Sequence, residues 1–120
     1  LPIIANGEIW RLDDAMRCRE QANTPHLMLG RGAVTRPDLV NQIKDFDNGE
    51  SIQRLDWQDL SALQLDFLQG TAKNDAVMVG RYKQWLGMLS QGYPEAQCLW
   101  QIVKREKNLA TIVKLLQAMP

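Results

Sequence analysis

Two short glycine-bearing segments hold the residues best suited to chemistry: Asn6-Gly7-Glu8, after the apolar run at residues 2–5, and Gly30-Arg31-Gly32, after Leu27-Met28-Leu29. Glycine lets backbone N–H groups approach an anion closely, and arginine adds a permanently charged, forked donor. Together they have the makings of a phosphate cradle. Each segment alone also fits an ordinary turn, so everything depends on the elements that would bring them together.

Ile3 and Ile4, and then Leu27, Met28 and Leu29, are short uncharged runs bounded by turn residues, the pattern of strands buried on both faces of a parallel sheet. Between them Asp13 or Asp14 can cap a helix in which Leu12, Ala15, Met16 and Ala22 recur at helical spacing. A strand–helix–strand crossover makes the strands parallel and sets their C-terminal ends side by side, each followed by a glycine. In (β/α)₈ barrels the loops after the last two strands often form such an anion site.

The rest reads as helices. Pro37-Asp38 opens a short one with Leu39, Val40 and Ile43, closed by Asp47-Asn48-Gly49, and residues 50–55 are a polar connector. Asp56 caps the next, with Leu60, Leu63, Phe67 and Leu68 on one face and Gly70 at its end. A third helix, residues 75–91, turns Met78, Tyr82, Trp85, Leu86 and Leu89 to one side and stops at Gly92-Tyr93-Pro94. Residues 95–119 carry Leu99, Ile102, Val103, Leu109, Ile112, Val113 and Leu116, interrupted by the polar stretch 104–108, so two helices with a tight turn are expected. A small bundle accounts for these apolar faces, Trp85 and Trp100 included.

Composition narrows the classes of function. Two unpatterned cysteines and one histidine, His26, suggest neither a disulfide framework nor a metal site. Cys18 and Cys98 read as buried or partly buried structural thiols, and His26 as a surface or edge residue. No apolar stretch reaches the roughly 18 residues of a membrane span, and a cytoplasmic location is expected. The zero net charge divides into +1 over residues 1–37, −5 over 38–71 and +4 over 72–120, which makes the C-terminal part the better nucleic-acid candidate.

The order of ANGEIW, a helix, LMLGRGAVTRPDL, an acidic linker and GRYKQWLGML resembles the C-terminal part of the tRNA-dihydrouridine synthases, most of all the C-type subfamily, over essentially all 120 residues. That resemblance implies a mainly α chain: the remnant of the last βαβ unit of a TIM (β/α)₈ barrel, followed by a small C-terminal helical bundle. Residues 1–37 would be the end of the FMN-binding barrel, 38–55 a short helix and acidic linker, and 56–120 a helical tRNA-binding domain. It further implies that Asn6, Gly7, Glu8, Gly30 and Arg31 contact FMN, chiefly its phosphate end, and that Arg81 and Lys83 help to orient tRNA. The near-repeat Val77-Met78-Val79-Gly80-Arg81 continues into an amphipathic helix and is therefore not a second flavin motif. On that helix Arg81 and Lys83 lie about 160° apart, so they would reach different phosphates. The third basic residue of the family pattern is replaced in this neighbourhood by Met88, with Lys104, Arg105 and Lys107 as other basic candidates.

By the same resemblance the whole enzyme uses NADPH to reduce FMN, which reduces a D-loop uridine, uridine 16 in the C-type, while a cysteine of the earlier barrel protonates the base. A complete barrel takes about 250 residues. This chain opens on Leu1, not Met, and is expected to be a piece lacking that cysteine, inactive, without bound cofactor, and self-associating through the exposed sides of Ile3, Ile4, Leu27 and Leu29. Two other readings fit the same residues. One is a stand-alone helical module that binds tRNA or another protein; the other is the tail of a different FMN-dependent barrel oxidoreductase, which would lack the RYKQWL helix.

Overall fold

A computed structural model describes residues 3–70 and 74–120; Pro2, in the first apolar run, lies outside the described residues. The chain separates into two compact units, Leu1–Arg54 and Leu55–Pro120.

The first unit runs β1 (Ile4–Ala5), α1 (Leu12–Ala22), β2 (His26–Leu27), α2 (Arg31–Thr35) and α3 (Leu39–Asp47). The strands are parallel, with Ile4 opposite His26 and Ala5 opposite Leu27, as the crossover requires. Asp14 starts α1 from within its first turn: its Oδ2 accepts from the backbone N–H groups of Trp10 and Arg11, both at 3.0 Å. Asn23, in the left-handed region at φ 52°, ends it.

Ile9, Ala15, Leu39 and Ile43 form this unit's core, with Leu12, Met16, Cys18, Leu27 and Leu29 packed against it. The short helix of residues 39–47 is thus bound into the first unit by its own apolar face. A bidentate Arg19–Asp47 pair at 2.7 and 2.9 Å ties α1 to α3, and Arg19 Nε also donates to the Pro25 carbonyl at 3.0 Å. The hydrogen bonds from Arg19 hold the Asp47 carboxyl below the usual carboxylate range.

Three expectations for this unit need correction. The strands are not buried on both faces: Ile3, Ile4 and Met28 are 63%, 58% and 55% exposed. Two strands of two residues have one partner each; Leu27 and Leu29 pack against the core and Ala5 is buried. Val40 points to solvent, because α3 buries only the stripe through Leu39 and Ile43. Residues 31–35, expected only as a glycine-bearing loop, form the helix α2.

The second unit is α4 (Trp57–Leu68), α5 (Asp75–Leu89), α6 (Pro94–Val103) and α7 (Leu109–Ala118). Asp56, Asn74 and Asn108 cap three of these helices, their side chains accepting from the N–H groups of Asp59, Val77 and Thr111 at 2.8–2.9 Å; Pro94 opens the fourth. Leu60, Tyr82, Leu86, Leu89, Leu99, Val103, Ile112 and Leu116 make the core, with Trp85 and Trp100 half-buried at its margin. Tyr93 packs on Trp57 at 6.2 Å and donates its hydroxyl to the Leu55 carbonyl at 3.1 Å.

Leu63 and Ile102 are exposed, contrary to their assignment to the core. Cys98 is exposed as well, while Cys18 is partly buried. The position facing the core near Leu63 is Gln64, fully buried, whose Oε1 accepts from the Tyr82 hydroxyl at 2.7 Å and whose Nε2 donates to the Leu60 carbonyl at 3.3 Å. A buried amide with both ends bonded costs little, so Gln64 can take a place that hydrophobicity would give to its neighbour.

Candidate functional site

Parallel pairing of β1 and β2 sets the segments that follow them on the same side of the unit. Asn6, Gly7, Glu8, Gly30 and Arg31, all five expected residues, line one cleft of about 350 Å³, completed by Ile9, Trp10, Met28 and Gly32. The Asn6-Gly7-Glu8 turn also borders a cleft of about 450 Å³ against α1. There Arg17 stands 3.8 Å from Asp14.

The donors are chiefly backbone. Among the described residues, the N–H groups of Asn6, Gly7, Glu8, Gly30, Arg31 and Gly32 donate to no other described residue. All six residues line one cleft, and all but Gly32 are exposed.

Two glycines shape the cleft by opposite means. A Cβ at Gly32 would fall on the Ile9 carbonyl oxygen and stand 2.9 Å from the Ile9 carbonyl carbon and 3.2 Å from the Trp10 Cα. Only glycine lets α2 seat against residues 9 and 10. A Cβ at Gly30 would meet no protein atom within 4 Å, so the space beside it is open.

Arg31 and Glu8 face each other across the cleft at 3.4 Å, with side chains 71% and 76% exposed. The Arg31 guanidinium lies 5.4 Å from the centroid of the Trp10 ring, and Trp10 Nε1 donates to Glu8 Oε2 at 2.9 Å. Glu8 itself is in the left-handed region, φ 43°, which a non-glycine residue adopts at some cost. Sequence reasoning passed over Trp10 and gave Gly32 no role of its own. The aromatic side chain following Asn6-Gly7-Glu8 was the available signal for the first, and the second glycine flanking Arg31 for the other.

Arg81 and Lys83 belong to the second unit, on α5. Arg81 is exposed and makes no ion pair among the described residues. Lys83 is partly buried and donates from Nζ to the Lys104 carbonyl at 3.1 Å, the capping position at the end of α6, where a cation is favoured by the helix dipole. That contact brings Lys83 beside the basic turn of Lys104, Arg105 and Lys107. Among the described residues no group of His, Cys, Asp and Glu side chains could hold a metal ion, and no helix is long and apolar enough to cross a membrane.

Residues 1–69 match the family model described as dihydrouridine synthase. The chain is similar to curated proteins named tRNA-dihydrouridine(16) synthase: 44% identical to that of Aquipseudomonas alcaligenes, covering 100% of this chain and 39% of that protein. To the Pseudomonas putida protein it is 46% identical, with 97% and 36% covered. To a Neisseria meningitidis protein it is 33% identical, with 98% and 36% covered. The chain spans less than two fifths of the length of these relatives.

Proposed function

The chain belongs to the dihydrouridine synthase family, and from that membership we propose that it supplies two parts of an FMN-dependent tRNA-dihydrouridine synthase acting at uridine 16: the phosphate end of the FMN site and a helical unit that contacts tRNA. The observation that carries the first part is the cleft where both glycine-bearing segments meet, lined by Arg31 and five other residues whose backbone N–H groups donate to no other described residue. This donor set fits a phosphate ester: N–H groups grip the oxygens, Gly30 leaves room beside the backbone, and the guanidinium forks onto two oxygens at once. Asn6 adds a side-chain amide at the rim.

When bound, FMN supplies the hydride chemistry, with NADPH as the reductant. In this reading the residues of this chain hold and orient the phosphate end. The cysteine that protonates the uridine belongs, in this reading, to the earlier part of the barrel, as the family resemblance implies, and neither Cys18 nor Cys98 lines the cleft at Arg31. In that protein Arg31→Ala is expected to weaken FMN binding by about 1.5–3 kcal/mol, the range for a hydrogen bond to a charged group, and to leave riboflavin binding unchanged. Titration of the apoprotein with both flavins checks this; an unchanged FMN affinity removes Arg31 from the site.

For the helical unit, the carrying observation is the basic run that Lys83 joins to the 104–107 turn, with Arg81 exposed on the same helix. The double variant Arg81→Ala, Lys83→Ala is expected to bind tRNA less tightly and to lower the magnitude of the slope of log K against log salt by about one to two units, because each neutralised phosphate contributes roughly −0.7 to −0.9. Filter binding over a salt series measures it. Equal slopes, with helicity intact, assign tRNA contact to other residues.

A further inference from the structure

Glu8, Trp10 and Arg31 contact one another at the cleft. Glu8 is an exposed carboxylate on the rim of a cleft built from anion donors, and it occupies a left-handed backbone position at φ 43° that glycine or asparagine would take more easily. Its carboxylate is divided between two donors: Oε2 accepts from the Trp10 indole at 2.9 Å, and Oε1 stands 3.4 Å from Arg31 Nη2. The first contact is short, whereas the second is long and open to solvent, so it is weak and easily exchanged. Arg31 is held meanwhile by the face of the same indole at 5.4 Å.

We propose that Glu8 is a built-in counter-ion for Arg31, anchored by Trp10, so that a phosphate-bearing flavin enters by exchange. The phosphate takes the guanidinium from Glu8 Oε1, Glu8 stays bonded to the indole, and Trp10 keeps Arg31 over the cleft in both states. A phosphate with close to two negative charges and three oxygens outcompetes one carboxylate oxygen for a forked donor, whereas a ligand without a phosphate has nothing to exchange. Glu8 and Trp10 therefore set how strongly the site prefers the phosphorylated flavin to the unphosphorylated one. This inference rests on the phosphate reading of the cleft, with Glu8 opposing the bound anion and not contacting it as a ligand.

The test is the ratio of FMN to riboflavin affinity in the full-length protein, measured by titrating the apoprotein of four variants. Glu8→Gln keeps an acceptor for the indole and removes the competing charge; it is expected to raise the ratio about two- to fivefold at low salt, and less as salt screens the site. Trp10→Leu is expected to lower the ratio about two- to fivefold, and Trp10→Phe, which restores the ring face, to recover most of it. Riboflavin affinity should stay constant throughout, which a general loss of structure would not allow. A ratio unchanged or lowered in Glu8→Gln overturns the exchange, even where Arg31→Ala lowers it. A ratio unchanged in Arg31→Ala removes Arg31 from the phosphate site, the part of the phosphate reading on which the exchange rests. Glu8 is a surface carboxylate whose replacement leaves the core intact, so Glu8→Gln decides the matter even where substitutions at Trp10 impair folding.

Discussion

Gly32→Ala is expected to destabilise the first unit by about 3 kcal/mol, the upper part of the usual range for overpacking. The reason is what the new methyl group would meet. It would fall on the Ile9 carbonyl oxygen and crowd the Trp10 Cα, both backbone atoms that no rotamer change can move aside. Relief requires α2 to shift away from residues 9 and 10, which also pulls Arg31 from the Trp10 face and widens the cleft. Residue-resolved hydrogen exchange checks this: amides of α1 and α3 should lose protection, and those of α5 and α6 should keep theirs. Gly30→Ala is the control, since its methyl group would meet no protein atom within 4 Å. Equal protection in Gly32→Ala and the parent would mean that α2 does not seat on Ile9.

The second large effect is expected at Tyr82, the largest fully buried side chain of the second unit. Tyr82→Ala should cost about 3–5 kcal/mol, as for other large aromatic residues removed from a core. Tyr82→Phe separates the hydrogen bond from the packing. It keeps the ring but orphans Gln64 Oε1, for an expected loss of about 1–3 kcal/mol. Adding Gln64→Met to Tyr82→Phe should recover much of that loss, because replacing both partners leaves no unpaired group. Urea unfolding of the three variants gives these differences directly; a Tyr82→Phe variant as stable as the parent would show that Gln64 does not depend on the phenol.

The same pair predicts an alkaline limit. Burial pushes the Tyr82 phenol well above its ordinary value. An acid whose pKa is raised on folding contributes stability that is complete below the unfolded value, near 10, and is lost as pH rises beyond it. The stability difference between parent and Tyr82→Phe should therefore shrink above pH about 10.

Much of the architecture was legible in the sequence because it is written in local terms. Asp56 marks a helix start by a side-chain oxygen that reaches the backbone N–H three residues on, and Gly92-Tyr93-Pro94 separates α5 from α6. The apolar spacing through Met78, Tyr82, Leu86 and Leu89 reports a 3.6-residue period whatever the helix packs against. The parallel pairing of β1 and β2 follows from the helix between them, and with it the meeting of Asn6-Gly7-Glu8 with Gly30-Arg31.

Tertiary structure alone decided which side of each pattern is used and what stands opposite. Leu63 and Ile102 fit the apolar periodicity and yet face solvent, while Gln64 is buried because a phenol 18 residues away completes its hydrogen bonds. Ile3 and Ile4 have the composition of buried strands, but burial depends on neighbours that a strand cannot specify by itself. The stacking of Arg31 on Trp10 and the fit of Gly32 against Ile9 join residues more than twenty positions apart through space. Chain-local rules fix backbone conformation and period; contacts between distant segments exist only once the crossover has closed, so their chemistry is read from the folded unit.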